Sequence, residues 1–155
     1  MPDNSSPTLP LFVGVDVGGT NIKIGVVDDK GDRLAYTKFP TQADQPPEKS
    51  IARIKPVVQE LLDEAGLKTE DVAAVGLGTP GPMDIARGFI LTPFNMPGWH
   101  NFPIRDALSK ALDKPVTFTN DANAAAFGEY WIGSCLLYTS PSPRDATLSR
   151  MPSSA

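Results

Sequence analysis

The chain has 155 residues, of which 41% are hydrophobic and 21% are charged, and its formal net charge at pH 7 is -4. This composition fits one soluble domain with a hydrophobic core, and the mild acidity argues against a general nucleic-acid-binding protein. A single cysteine and a single histidine exclude a disulfide framework and a self-contained zinc site.

The amino-terminal segment 1–10 contains no basic or apolar region of the kind that a secretory signal needs. No later stretch approaches the roughly 20 apolar residues of a membrane span. We therefore expect a cytoplasmic protein that binds neither membranes nor nucleic acid, with a disordered segment at residues 1–10.

Three strands are predicted near the amino terminus. Apolar residues dominate the segments 12–17 and 22–28, on either side of a turn at Gly18 and Gly19. A second turn leads into a third predicted strand at 33–39. Because the connections are short, we expect these strands to pair antiparallel in chain order.

Helices and strands alternate in the rest of the chain. Apolar residues recur three or four apart between residues 48 and 65, which predicts an amphipathic helix that Gly66 ends and that Pro56 kinks or divides. The later predicted elements are a strand at 72–78, a helix at 104–112 opened by Pro103, a strand at 116–119 and a helix that starts at residue 120. This alternation predicts an α/β fold without an interdomain linker.

A cluster of polar residues and glycines interrupts the first predicted hairpin; it comprises Asp16, Gly18, Gly19, Thr20, Asn21 and Lys23. Glycines permit a turn tight enough for backbone N–H groups to reach a phosphate. Thr20 and Asn21 add side-chain hydrogen bonds, Lys23 adds positive charge, and Asp16 can hold Mg²⁺ through water. The cluster predicts a nucleotide-phosphate site, and an ordinary Gly-Gly hairpin with a solvated aspartate remains the alternative.

A second polar cluster, NDAN at 120–123, lies between a predicted strand and a predicted helix. Asn or Asp at such a junction is a good helix N-cap. An aspartate at the carboxyl end of a buried strand also projects into the crevice where α/β proteins bind ligands, and Asp121 could accept a proton there from a bound hydroxyl. Both interpretations remain open.

Two predicted loops carry further candidates. The loop 76–84 contains three glycines and two prolines, so it either brings backbone close to a ligand or is merely a tight connection. In the loop 94–103, Asn95 is the ligand candidate, because an amide can both donate to and accept from a sugar hydroxyl. We expect Trp99 to be packed in the core, and His100 has no metal partner that the sequence reveals.

The composition changes near Ser134, after which serine, proline and arginine dominate and the periodicity is lost. The segment that begins at Cys135 resembles a translated transposon-type sequencing adapter. CLLYTSPSPRD matches one frame of the adapter, Ala146 and Thr147 fall in its variable index, and LSRMPSSA matches the flanking primer. We therefore expect residues 135–155 to be a disordered tail that is foreign to the natural protein.

Four motifs, in order, resemble those of one family. DVGGT at 16–20, GTPGPMD at 78–84, NMPGW at 95–99 and NDAN at 120–123 are similar to motifs in the N-terminal half of ROK-family sugar kinases, and in particular of glucokinases. The resemblance covers residues 11–134. It implies an N-terminal domain of the actin- and hexokinase-like (ribonuclease H-like) ATPase fold, with a mixed sheet and flanking helices.

The resemblance also implies a reaction, the transfer of a phosphoryl group from ATP, with Mg²⁺, to a hexose, such as glucose to glucose 6-phosphate in glycolysis. It implies that residues 16–21 form the first phosphate loop, that Gly81, Asn95 and Asn120 face the sugar, and that Asp121 is the catalytic base. Replacing Gly19 by valine is then expected to raise the KM for ATP much more than the KM for the sugar.

The second half of such kinases carries further sugar contacts, a structural zinc site, a second phosphate loop and the adenosine pocket. The motifs of that half do not occur in this sequence. We therefore expect the chain to be an inactive fragment of a homo-oligomeric parent enzyme.

Three other functions remain as alternatives. A ROK-type transcriptional repressor or sugar-binding regulator places a winged-helix module before the first strand, where this sequence has residues 1–10 alone. An actin-like binding or structural protein has no need of the aspartate in NDAN. Another ROK hexose kinase, acting on fructose or N-acetylmannosamine, would carry the same motifs.

Overall fold

The computed structural model describes residues 6–120. Its elements, in chain order, are β1 (Leu11–Val17), β2 (Asn21–Val27), β3 (Arg33–Pro40), α1 (Pro47–Glu64), β4 (Val72–Thr79), β5 (Met83–Asp84), β6 (Phe89–Ile90), α2 (Ile104–Leu112) and β7 (Val116–Asn120). Neither helix in this range combines the length and the apolar character that a membrane span requires. Asn120, where a helix was predicted to start, is instead the last residue of β7. The rest of that predicted helix and the predicted tail at 135–155 lie outside the described residues.

Five strands form one sheet in the order β3-β2-β1-β4-β7. β1, β2 and β3 pair antiparallel, as predicted, because short turns connect them. β4 pairs parallel with β1, and β7 pairs parallel with β4, since longer connections that contain helices return the chain to the same end of the sheet. The carboxyl ends of three parallel strands therefore meet at one edge of a mixed sheet.

One face of this sheet forms the hydrophobic core. Side chains alternate along a strand, so Val13, Val15 and Val17 of β1 lie on one face together with their register partners, which include Ile24 of β2 and Leu77 of β4. All five are buried in a single cluster with residues of α1 and α2. Both helices therefore cover the same face of the sheet.

The end of α1 follows the prediction made from Gly66. This glycine has a φ of 69°, its N–H donates to the Asp63 carbonyl at 3.1 Å, and the Leu67 N–H donates to the Leu62 carbonyl at 2.8 Å. The two bonds form a Schellman motif, in which a left-handed glycine ends a helix. Pro56 lies inside a helix that continues on both sides of it, so α1 is not divided there.

The segment 76–84 is only partly a loop, which corrects the sequence-based expectation. β4 continues to Thr79, and Met83–Asp84 pairs with Phe89–Ile90 in a two-stranded ribbon. Strands of two residues are too short to produce an alternating pattern, so the sequence does not signal them. The Arg105 side chain of α2 donates to backbone carbonyls in the turn of this ribbon, at 3.2 and 3.3 Å, and fastens the ribbon to the helix.

Asp28 organises the turn between β2 and β3. Its carboxylate accepts hydrogen bonds from the backbone N–H groups of Lys30, Asp32 and Thr8, at 3.0, 2.9 and 3.2 Å. Burial by itself raises the pKa of Asp28, but the three N–H donors and the charge of Lys30 outweigh it, so this pKa is lowered from its usual value. The bond from Thr8 comes from the segment 1–10, whose predicted disorder stays a prediction.

Replacing Asp28 by alanine is expected to lower the free energy of unfolding by about 1–3 kcal/mol at pH 7, because backbone N–H groups lose a buried acceptor. Since the pKa of Asp28 is lower in the folded chain, its stabilising effect is complete above the unfolded pKa of about 3.9 and is lost as the pH falls through the folded pKa. Urea unfolding of both proteins at pH 7 and pH 3 measures this effect. An equal difference in stability at the two pH values would contradict the prediction.

Candidate functional site

The turn between β1 and β2 carries open hydrogen-bond donors. It is closed by one backbone bond, from the Gly18 N–H to the Asn21 carbonyl at 2.9 Å. At its tip, the backbone N–H groups of Gly19 and Thr20 donate to no acceptor within residues 6–120. Successive N–H groups at a glycine turn form a concave site that suits an anion such as a phosphate.

Asp16 and Lys23 lie at the base of this turn on facing strands. They are direct partners in the β1–β2 register, so their side chains share one face of the hairpin, opposite the hydrophobic core. Asp16 is partly buried and Lys23 is exposed. A carboxylate and an ammonium group therefore lie within a few residues of the open N–H groups.

The carboxyl ends of β4 and β7 bring two more candidates to the same edge of the sheet. The parallel register pairs Thr79 with Asn120. Two residues beyond Thr79, a Cβ added to Gly81 would lie 3.6 Å from the side-chain nitrogen of Asn120. Gly81 and Asn120 are therefore neighbours at the edge where open α/β sheets bind ligands.

Asn95 reaches the site from the loop after β6. Its side chain packs against Gly19 so closely that a Cβ on Gly19 would lie 2.7 Å from the Asn95 side-chain carbonyl carbon. The same loop packs against the segment 43–45, where a Cβ on Gly98 would lie 2.9 Å from the Gln45 carbonyl oxygen. The absence of a side chain at Gly19 therefore makes room for Asn95.

The rest of that loop is structural. Trp99 is fully buried, as predicted, with its ring edge-on to Phe102 at a centroid distance of 5.8 Å. His100 is exposed. Within the part of the chain that the structure describes, no group of three or more His, Cys, Asp or Glu side chains could hold a metal ion.

The fold thus gathers the hairpin 16–23, Gly81, Asn95 and Asn120 at one edge of the sheet. Asp121, the predicted base, lies outside the described residues, as do Asn123 and Cys135. The roles assigned to these residues stay predictions.

Two residues that support the turn were missed in the sequence. Thr41 is fully buried; its hydroxyl donates to the Gly18 carbonyl at 2.7 Å and its N–H donates to the Thr20 carbonyl at 2.9 Å. The Ser50 hydroxyl in α1 donates to the Thr41 carbonyl at 2.6 Å. The sequence offered one signal for Thr41, its position directly after the third predicted strand. Its hydrogen-bond partners, Gly18 and Thr20, become evident only when the strand register is known.

Comparisons with known proteins identify relatives over most of the chain. Residues 12–138 match the model of the ROK family. The glucokinase of Thermotoga maritima is 38% identical over 128 residues, which cover 83% of this chain and 38% of that protein. The N-acetyl-D-glucosamine kinase of Yersinia pestis is 30% identical over 121 residues, which cover 78% of this chain and 45% of that protein.

Solved structures also match. A ROK hexokinase from Thermus thermophilus has a TM-score of 0.68 at 41% identity, covering 77% of this chain and 38% of that chain. A ROK family glucokinase from Streptomyces griseus, in complex with glucose and AMPPNP, has a TM-score of 0.68 at 37% identity. This match covers 79% of this chain and 37% of that chain. A ROK family transcriptional regulator, a homolog of the E. coli MLC protein, has a TM-score of 0.62 at 23% identity, which shows a likeness of fold alone.

The chain spans less than half the length of each of these relatives. The described residues have the α/β fold of the ROK hexokinases, with a mixed sheet and flanking helices, as predicted. The match over residues 12–138 and these likenesses show that the chain belongs to the ROK family.

Proposed function

We propose that this chain is the N-terminal part of an ATP-dependent hexose kinase whose substrate is glucose. The observation that carries the proposal is the contact between Gly19 and Asn95, which joins a turn with open N–H donors to an exposed amide. Phosphoryl transfer requires the phosphates of ATP and a sugar hydroxyl to be adjacent, and this contact supports such an arrangement. The glucokinases among the relatives support the choice of glucose.

The hairpin fits the phosphates of a nucleotide. The N–H groups of Gly19 and Thr20 can donate to phosphate oxygens, and Lys23 adds positive charge. Asp16 fits a Mg²⁺ ion that is bound through water and held chiefly by the phosphates, because residues 6–120 contain no larger group of metal-binding side chains. When bound, Mg²⁺ neutralises the charge that develops on the phosphates.

We assign Asn95, Asn120 and the backbone at Gly81 to the sugar. A hexose offers hydroxyl groups that both donate and accept hydrogen bonds, and side-chain amides can do the same. Gly81 allows the backbone to lie close to the sugar beside Asn120. Asp121 then takes the proton of the attacking hydroxyl while the amides hold the sugar in position.

N-acetyl-D-glucosamine is the second candidate substrate. A relative of that name is 30% identical to this chain. The two sugars differ at carbon 2, so a pocket that admits glucose need not admit an acetamido group. The repressor alternative rests on a likeness of fold alone.

A coupled assay of ADP release by the full-length protein tests the proposal. Glucose, N-acetylglucosamine, N-acetylmannosamine and fructose are each supplied with ATP and Mg²⁺, and a reaction without sugar is the control. We expect sugar-dependent ADP release with the highest kcat/KM for glucose. A higher kcat/KM for another sugar would identify that sugar as the preferred substrate. The absence of sugar-dependent ADP release would contradict kinase activity.

We further propose that the natural domain covers residues 11–134 and that residues 135–155 are foreign to it. The second side of the cleft, the adenosine pocket and a structural zinc site would then belong to the second half of a cytoplasmic homo-oligomer. The resemblance of the tail to an adapter sequence supports the boundary, and the partial coverage of the relatives supports a missing second half.

Deleting residues 135–155 is expected to shift the midpoint of thermal unfolding by no more than a few degrees, because a segment rich in serine and proline buries little apolar surface. Neither the 155-residue chain nor the shortened one is expected to phosphorylate glucose, since both lack one side of the cleft. Calorimetry and the coupled assay measure these outcomes. Strong destabilisation, or clear kinase activity of the 155-residue chain, would show that the tail is a natural part of the protein.

A further inference from the structure

Thr41 uses every polar group it has to hold the phosphate-binding turn. Its side chain is 0% exposed. Its hydroxyl donates to the Gly18 carbonyl at 2.7 Å, its N–H donates to the Thr20 carbonyl at 2.9 Å, and its own carbonyl accepts the Ser50 hydroxyl at 2.6 Å. A buried residue with three short hydrogen bonds has one defined orientation.

The bonds from Thr41 fix more than the two carbonyls that accept them. A peptide group is planar, and in a trans peptide the carbonyl and the following N–H point in opposite directions. The only cis peptides among the described residues precede Pro10 and Pro82, so the Gly18–Gly19 peptide is trans. The Thr41 hydroxyl, by holding the Gly18 carbonyl, therefore also sets the direction of the open Gly19 N–H.

Ser50 connects this arrangement to the core. It is 1% exposed and lies in the first turns of α1, next to Ile51, which is buried among the core residues. Through the Ser50 hydroxyl, α1 fixes the position of Thr41. Thr41 in turn holds the backbone of the turn between β1 and β2. Glycines have no side chain with which to hold such a turn in one conformation, so the constraint has to come from outside it.

We propose that Thr41 is a positioning residue for the phosphate site, aiming the Gly19 N–H at the ATP phosphates through its hydrogen bond to the Gly18 carbonyl. The inference rests on the proposed kinase function. It predicts an effect on ATP that is separate from any effect on folding, since a purely structural residue would change stability without changing one substrate's KM more than the other's.

The test is Thr41→Val in the full-length protein, since valine keeps the shape of threonine and removes the hydroxyl. We expect the KM for ATP to rise about three- to tenfold, because the net free energy of one hydrogen bond corresponds to a change of this size in an equilibrium constant. The KM for glucose should stay within about twofold of its wild-type value. Calorimetric titration should show the same loss of affinity for ATP and an unchanged affinity for adenosine, which has no phosphate.

Two matched variants serve as controls. Thr41→Ser keeps the hydroxyl, so the KM for ATP should return to nearly the wild-type value even if stability falls. Thr37→Val makes the same substitution on β3, where the side chain has no hydrogen bond within residues 6–120, and should change neither KM. If Thr41→Val does not fold, Ser50→Ala is the second test, because it releases the Thr41 carbonyl without altering Thr41; it should raise the KM for ATP alone.

The inference and the proposed function fail in different ways. A wild-type protein that phosphorylates no sugar contradicts the function. An active wild-type protein whose Thr41→Val variant keeps its KM for ATP, or raises both KM values equally, overturns the role of Thr41. An unchanged KM for ATP in Ser50→Ala, where that variant is needed, overturns it as well.

Discussion

Asp121→Asn is expected to lower the kcat of the full-length protein by about 10²- to 10⁴-fold, with a much smaller effect on the KM for ATP. Asparagine keeps the shape of the side chain and its ability to cap a helix, but it cannot take a proton from the sugar hydroxyl. The loss falls on kcat because proton transfer belongs to the transition state rather than to binding. Steady-state kinetics with ATP and glucose varied separately measure both parameters.

Asp113→Asn is the matched control for this variant. Asp113 is exposed at the end of α2 and has a left-handed conformation, with a φ of 54°, that asparagine also adopts readily. The kcat of this control should stay within about twofold of the wild-type value, as for most surface substitutions. Wild-type turnover by Asp121→Asn would exclude Asp121 as the base and leave helix capping as its role.

Gly19→Val is expected to raise the KM for both ATP and glucose by about 10- to 100-fold, since small displacements in a catalytic site have effects of this size. The sequence suggested a much larger effect on the KM for ATP than on the KM for the sugar. The contact with Asn95 changes that expectation, because the new Cβ would occupy the space of the Asn95 side chain. The larger residue would also crowd the N–H group of residue 19 itself. Gly25→Val is the control: its Cβ would lie 3.8 Å from the Ala35 carbonyl oxygen, an ordinary contact in a strand.

A double variant separates the two effects of Gly19→Val. In an Asn95→Ala background, Gly19→Val should still raise the KM for ATP but should add little to the KM for glucose, because the side chain it displaces is already absent. Full additivity of the two substitutions on the KM for glucose would show that Gly19 and Asn95 act independently.

Local patterns in the sequence were sufficient to predict most of the elements. Alternating apolar residues located β1 and β2, and the apolar spacing together with Gly66 located α1 and its end. Trp99 was predicted to be packed in the core, and it is fully buried. These predictions succeed because periodicity, turn chemistry and burial are properties of neighbouring residues.

The relations between distant segments could not be predicted in the same way. The Gly19–Asn95 contact and the bonds of Thr41 depend on how the loop after β6 and the end of β3 lie across the sheet. No periodicity encodes such a placement, and a threonine after a strand is common. The motifs indicated candidate residues for the site, whereas the contacts among these residues required the fold.

The brevity of the turn between β1 and β2 has a consequence for motion. Residues 18–20 alone separate two strands whose inward side chains are buried in the core, and Thr41 restrains the turn from the outside. A phosphate arriving there would meet donors that are already oriented, so the protein would lose little conformational entropy on binding. We therefore regard the hairpin as a fixed wall of the cleft and not as a lid, and we expect any closure around the substrates to be a movement of the opposite side towards it.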